Sequence, residues 1–213
     1  MDKYEVVLKL LLEALQATKG GEDDDYEIPV GISNRHLHLS QADLNNLFGE
    51  GYQLTKLKDL SQPGQYACRE TVTICGPNGA LEKVRILGPV RDKTQVEVMK
   101  GDCFKLGVVS PPRLSGDLQG TPGITVIGPK GSVQLKEGLI VAQRHIHMTL
   151  EDARRFGVHD GQIVAIEVKG PRGGIYHNVV IRANDASALE CHLDIEEANA
   201  MNIDSLTKVK IIK

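Results

Sequence analysis

Two periodicities divide the chain. Across residues 1–19, MDKYEVVLKLLLEALQATK, the apolar positions Tyr4, Val7, Leu8, Leu11 and Leu15 recur every three or four residues, with Glu5, Lys9 and Glu13 elsewhere. That spacing predicts an amphipathic helix. Gly20 and Gly21 end it, and the acidic run at 22–25 reads as a solvated linker. From residue 27 the apolar runs shorten to IPVGIS, TVTICG, KVRILGPV, QVEVM, GITVIG, GLIVAQ, QIVAIEV, YHNVVIRA and KVKII, punctuated by glycine and proline. Such runs predict strands. Helical spacing returns only briefly, at 41–48, 150–156 and 194–201. The expected fold is therefore mainly β with short α-helices, as short-stranded barrels or sandwiches.

One pattern occurs twice. IPVGISNRHLHLSQADLNNLFG and LIVAQRHIHMTLEDARRFG each give an apolar strand, then Arg-His-x-His, then Ser40 or Thr149 with Asp43 or Asp152 three residues on. The last element fits a helix N-cap. Two related half-structures are implied, each delivering a histidine pair at the end of a strand just before a short helix.

Composition narrows the function classes. A net charge of -3 gives no broad basic surface for nucleic acid or anionic membrane. No apolar run approaches the roughly 20 residues of a membrane span. The four cysteines show no C-x-x-C spacing and nothing resembles a secretory signal, so free thiols in a reducing, cytoplasmic setting are expected.

The histidine pairs are the strongest chemical signal. Strand residues two apart share a face, so His36 converges with His38 and His145 with His147. Neutral imidazoles are common ligands of zinc. The pattern leaves the remaining histidines, His159, His177 and His192, unranked as further ligands. Glu97, between Val96 and Val98, fits an inward-facing acid or the polar face of an edge strand equally. Arg35 and Arg144 precede the pairs and point to the opposite face, which suits support or packing. Arg91 follows a Gly-Pro turn shortly before Glu97, where a guanidinium can bind an oxyanion bidentately or lie solvated. The loop SPPRLSGDLQGTPG at 110–123 offers Arg113, Ser115 and backbone amides for phosphate groups, without a P-loop or dinucleotide fingerprint. Cys191 reads as a buried structural thiol.

Taken together, VGISNRHLHLS, LGPVRDKTQVE, SPPRLSGDLQGTPG, VAQRHIHMTLEDA and ECHLDIEEANA resemble the PduL-type phosphate propanoyltransferases, the phosphotransacylases of propanediol-using and related bacteria, from residue 27 onward. The resemblance implies interconversion of acyl-CoA plus phosphate with acyl phosphate plus CoA, on two β-barrel domains capped by short helices. It implies one discontinuous barrel of residues 27–34 and 143–213 and a second of 35–142. It also implies two divalent metal ions, usually zinc, one held by His36, His38 and Glu97 and the other by His145, His147 and His192, with Arg91 essential. Arg113 and Ser115 are expected to contact substrate. Residues 1–26 resemble the extension that directs some members into a bacterial microcompartment, where residues 1–19 would meet shell or cargo proteins. The same stripe could instead pack on its own domain or in a homo-oligomer. Clustered histidines alone do not separate phosphate from water as nucleophile, nor an enzyme from a metal-binding shell component.

Overall fold

The structure, a computed structural model, describes residues 26–212; the amphipathic helix expected over residues 1–19 and its acidic linker lie outside them. One sheet is a closed barrel of β1 (Ile28–Ser33), β11 (His145–Met148), β12 (Ile163–Val168), β13 (Gly174–Ala183), β14 (Glu190–Asp194) and β15 (Lys208–Ile212), ordered β1-β14-β11-β13-β12-β15. The other is an open sheet running β7 (Pro112–Arg113), β10 (Leu139–Ala142), β6 (Gln95–Val98), β2 (His36–His38), β5 (Gly79–Gly88), β4 (Tyr66–Gly76), β8 (Thr125–Ile127) and β9 (Ser132–Gln134). A ninth strand, β3 (Lys56–Asp59), pairs with β4. The mainly-β architecture expected from the short apolar runs is present: one half closes completely and the other curls into a half-barrel.

Each half has its own core. Ile28, Ile146, Met148, Ile166, Ile181, Leu193 and Val209 fill the barrel, and Leu37, Leu39, Leu44, Leu47, Ile74, Ile86, Val96 and Leu139 fill the half-barrel. Burying each Leu or Ile contributes about 1.5–3 kcal/mol before entropy is counted, so these alternating positions set which strand face points inward.

Among the described residues, four short helices cap the ends. The expected ones are α1 (Gln41–Phe48), α3 (Leu150–Phe156) and α4 (Ile195–Met201), begun by Ser40, Thr149 and Asp194, whose side chains accept from the backbone N–H three residues on. The pattern did not predict α2 (Lys100–Leu106). Met99 supplies no capping oxygen there; instead Asp102 reaches back to accept from the Met99 N–H at 3.1 Å. A seven-residue helix holding a glycine and lacking a polar N-cap carries almost no local signal.

The repeat is assembled by exchange. β1 lies in the barrel, but the chain crosses at Asn34-Arg35 and β2 joins the half-barrel. β10 lies in the half-barrel, and the chain crosses back at Gln143-Arg144 to place β11 in the barrel. Each histidine strand then has equivalent neighbours. β2 runs parallel to β5 and antiparallel to β6, while β11 runs parallel to β13 and antiparallel to β14. Both crossings fall beside the same cleft, which brings the two histidine pairs to one place.

Candidate functional site

Register supplies a third donor to each pair. Glu97 on β6 lies opposite His36, and His192 on β14 lies opposite His145. The result is two triads, His36-His38-Glu97 and His145-His147-His192, with one potential ligand atom per residue and all three atoms within 4.8 Å of one another. Both triads line one cavity of about 420 Å³ between the halves.

The first histidine of each pair is oriented alike. Nδ1 of His36 donates to the Asn34 carbonyl at 2.7 Å, and Nδ1 of His145 to the Gln143 carbonyl at 2.8 Å. A carbonyl only accepts, so each Nδ1 carries a proton, and Nε2 is the atom left to offer a lone pair once the ring is neutral. The backbone at the crossings thus sets the tautomer.

Burial sets the charge states. It lowers the pKa of His38 to about 3, aided by His36 and Arg91, and that of His147 to about 3, aided by His145 and His192. His145 falls to about 4 through burial and then His192. All three are neutral near pH 7, the form that binds a cation. Burial alone would raise Glu97, but His36, His38 and His145 outweigh it and hold the carboxyl far below the usual range. Burial alone would lower His36, yet Glu97, with Oε2 3.4 Å from the His36 Nε2, leaves it above its ordinary value.

These donors suit divalent cations. Nδ1 of His38 and of His147 are buried and have no hydrogen-bond partner among the described residues, one orphaned nitrogen per triad. Nε2 of His145 and His147 lie 3.1 Å apart. Three imidazoles in one triad, and two with a carboxylate in the other, form nitrogen and oxygen sets that fit zinc or a similar ion.

A polar chain leads away from the first triad. Gln95 donates from Nε2 to Glu97 at 2.6 Å and to the Ser115 hydroxyl at 2.8 Å, and Arg91 donates from Nη1 to the same hydroxyl at 2.8 Å. The N–H of Gly116 donates to Gln95 Oε1 at 2.7 Å, which fixes the loop. Arg91 and Ser115 therefore meet in the cavity. Arg113 is not among the cavity-lining residues; it pairs with Asp117 at 3.4 Å on the surface. His159 and His177 are exposed and outside the cavity, and Cys191 is buried in the barrel core with its thiol pushed up to about 12 by burial.

Two further charged side chains, without a distinguishing local motif, reach the cleft. Arg182 on β13 pairs in register with His147 and lines the cavity, close enough to lower the proton affinity of Arg91, His145 and His147. Glu190 on β14 lies two residues before His192 and accepts from Ser61 of the other half, with Oε2 2.5 Å from His192 Nε2. The strand alternation of HNVVIRA and LECHLD held both signals, but only the cross-strand register says which face meets the cleft.

The buried imidazoles give the cation-free protein a pH dependence. Unfolded, each takes a proton near pH 6.5; folded, His38, His145 and His147 resist protonation down to about pH 3–4. Stability is fully present above pH 6.5 and is lost as the pH falls from there toward 4. The melting temperature of chelator-treated protein should drop steadily over that window, and a flat profile would contradict the buried neutral histidines.

Comparison with known proteins now bears on the chemistry. The family profile described as phosphate propanoyltransferase matches residues 29–204, a span that includes both triads and Arg91. The chain belongs to the phosphate propanoyltransferase family. Relatives of that name include proteins of Rhodobacter capsulatus, 51% identical over 96% of this chain and 95% of the relative, and of Thermotoga maritima, 54% identical over 87% and 89%. A Sebaldella termitidis phosphate propanoyltransferase is 46% identical over the full length of both chains. Members of the phosphate propanoyltransferase family are acyltransferases, with acyl-CoA, CoA and phosphate as substrates. No helix among the described residues is long and apolar enough to cross a membrane.

Proposed function

We propose that the protein transfers the propanoyl group of propanoyl-CoA directly to phosphate, with a divalent cation, zinc foremost, in each triad, and that it accepts acetyl-CoA as well. The observation that carries this reading is the convergence of both triads with Arg91 from the half-barrel and Arg182 from the barrel on a single cavity. When bound, the two cations supply Lewis-acid stabilisation of negative charge developing on the thioester oxygen and the departing sulfur.

The chain's own groups do the rest. Arg91, held by Ser115, presents its fork to the phosphate dianion and offsets its repulsion from the electron-rich thioester. Arg182 offers a second positive charge from the opposite wall. A phosphate oxygen then attacks the carbonyl carbon, a C–O bond forms, the C–S bond breaks, and CoA leaves as a thiolate that takes a proton from solvent. No acyl-enzyme is needed. Cys191 and Cys68, with thiols pushed up by burial to about 12 and about 11, are unsuited to act as nucleophiles.

Release of CoA thiol from propanoyl-CoA, followed with and without phosphate, tests the reading. The expected result is strictly phosphate-dependent release, abolished by a chelator, restored by zinc and reproduced with acetyl-CoA. Release without phosphate would make water the nucleophile and the protein a hydrolase, whereas cation uptake without any release would leave the triads structural.

A further inference from the structure

The two arginines of the repeated Arg-His-x-His each bond a carboxylate at the corresponding helix position. Arg35 donates from Nε and Nη2 to Asp102 Oδ2 and Oδ1, at 2.8 and 2.9 Å. Arg144 donates from Nε to Glu197 Oε1 and from Nη1 to the His177 carbonyl at 2.7 Å. Asp102 and Glu197 hold the same place in the fold. Each is the third residue of a helix, α2 or α4, and each also accepts from the backbone N–H of its own helix cap. That helix directly follows the strand carrying the third donor, Glu97 or His192.

Each pair therefore ties the turn before an H-x-H strand to the helix that follows the third donor of the same triad. Within a triad the donors come from two antiparallel segments, β2 with β6 or β11 with β14, and those ladders are only three residue pairs long. So short a ladder leaves the spacing of the two segments to whatever fixes their ends. Arg35 and the buried Asp102 form a bidentate guanidinium–carboxylate pair, and Arg144 is fixed at two points by Glu197 and the His177 carbonyl, so each is a rigid spacer at that position.

We infer that Arg35 and Arg144 are positioning residues, each holding one triad at cation-binding width, so that loss of either empties its own position and spares the other. This rests on the two-cation reading above. One tie between the halves is separate from these pairs: both Glu196 carboxylate oxygens accept from the Gly101 N–H at 3.1 Å.

The test loads full-length protein with Co²⁺, dialyses it against a mild chelator, and counts retained metal beside the visible spectrum, circular dichroism and melting temperature. Wild type and Glu196→Gln are expected to retain two equivalents. Arg35→Ala and Arg144→Ala are expected to retain one each, with affinity at the affected position reduced about 10–100-fold. Adding His145→Ala to Arg35→Ala should bring the count to zero, while adding His36→Ala should leave it at one. Arg35→Lys and Asp102→Asn, which keep most of the packing, should weaken the same position if Arg35→Ala fails to fold. Two equivalents retained in both alanine variants, or joint loss of both in each, overturns the inference while sparing the two-cation reading. Wild type that takes up no cation overturns the two together.

Discussion

Arg91→Ala protein should turn over propanoyl-CoA about 10²–10³-fold more slowly than wild type while retaining the same metal content. Arg91 is half-buried, its Nη1 is fixed on Ser115, and the rest of its guanidinium is available to an oxyanion in the cavity. Burial and the facing Arg182 lower its proton affinity, but guanidinium stays charged throughout the working range. Its contribution therefore combines a fixed charge with a two-point geometry. Arg91→Lys separates the two, because an ammonium keeps the charge and loses the fork; it should recover only part of the rate. Measuring kcat and the KM for phosphate in samples of known metal content checks this. An Arg91→Ala enzyme of normal activity and full metal content would remove Arg91 from the reaction.

Loss of a triad histidine is the second large effect expected. His38 and His147 are the residues whose orphaned Nδ1 atoms and lowered pKa values mark them as neutral, unsatisfied donors. A bound cation is worth several kcal/mol of charge stabilisation in a reaction of this kind. At 1.36 kcal/mol per factor of ten, His38→Ala or His147→Ala should lower activity by about a thousandfold or more. Each should also lose one equivalent of bound metal and keep the wild-type circular dichroism. Added zinc should rescue chelator-stripped wild type and neither variant. Full activity in metal-free protein would refute the role of both triads.

Local features of the fold are legible in the sequence. The repeated R-H-x-H carries the convergence of each histidine pair, and Ser40 and Thr149 mark two helix starts, because side-chain alternation and capping act over two to four residues. The third donors were another matter. His192 could not be ranked above His159 or His177 from its own neighbours, since what selects it is the β11–β14 register, formed between segments some distance apart in sequence. Glu97 depends in the same way on β6 pairing with β2, since its own neighbours fit an inward-facing acid and an edge strand equally. Arg182 was missed for that reason too. The crossings at Asn34-Arg35 and Gln143-Arg144 left no trace in the apolar pattern, because a strand buries the same face whichever half receives it.

That exchange of strands constrains the order in which the molecule can be made. Every strand of the half-barrel has been synthesised once Ala142 emerges, so the His36-His38-Glu97 end of the cleft can form early in translation. β1 has no such opportunity. Its neighbours are β14 and β15, and Ser33 donates to the Leu193 carbonyl 160 positions later. At about 5–20 residues per second on the ribosome, β1 waits roughly 10–35 s for β14 and β15 to be made. Barrel closure, and with it the three-histidine end of the cleft, thus follows completion of the half-barrel, and a chain truncated before Lys208 leaves the barrel open.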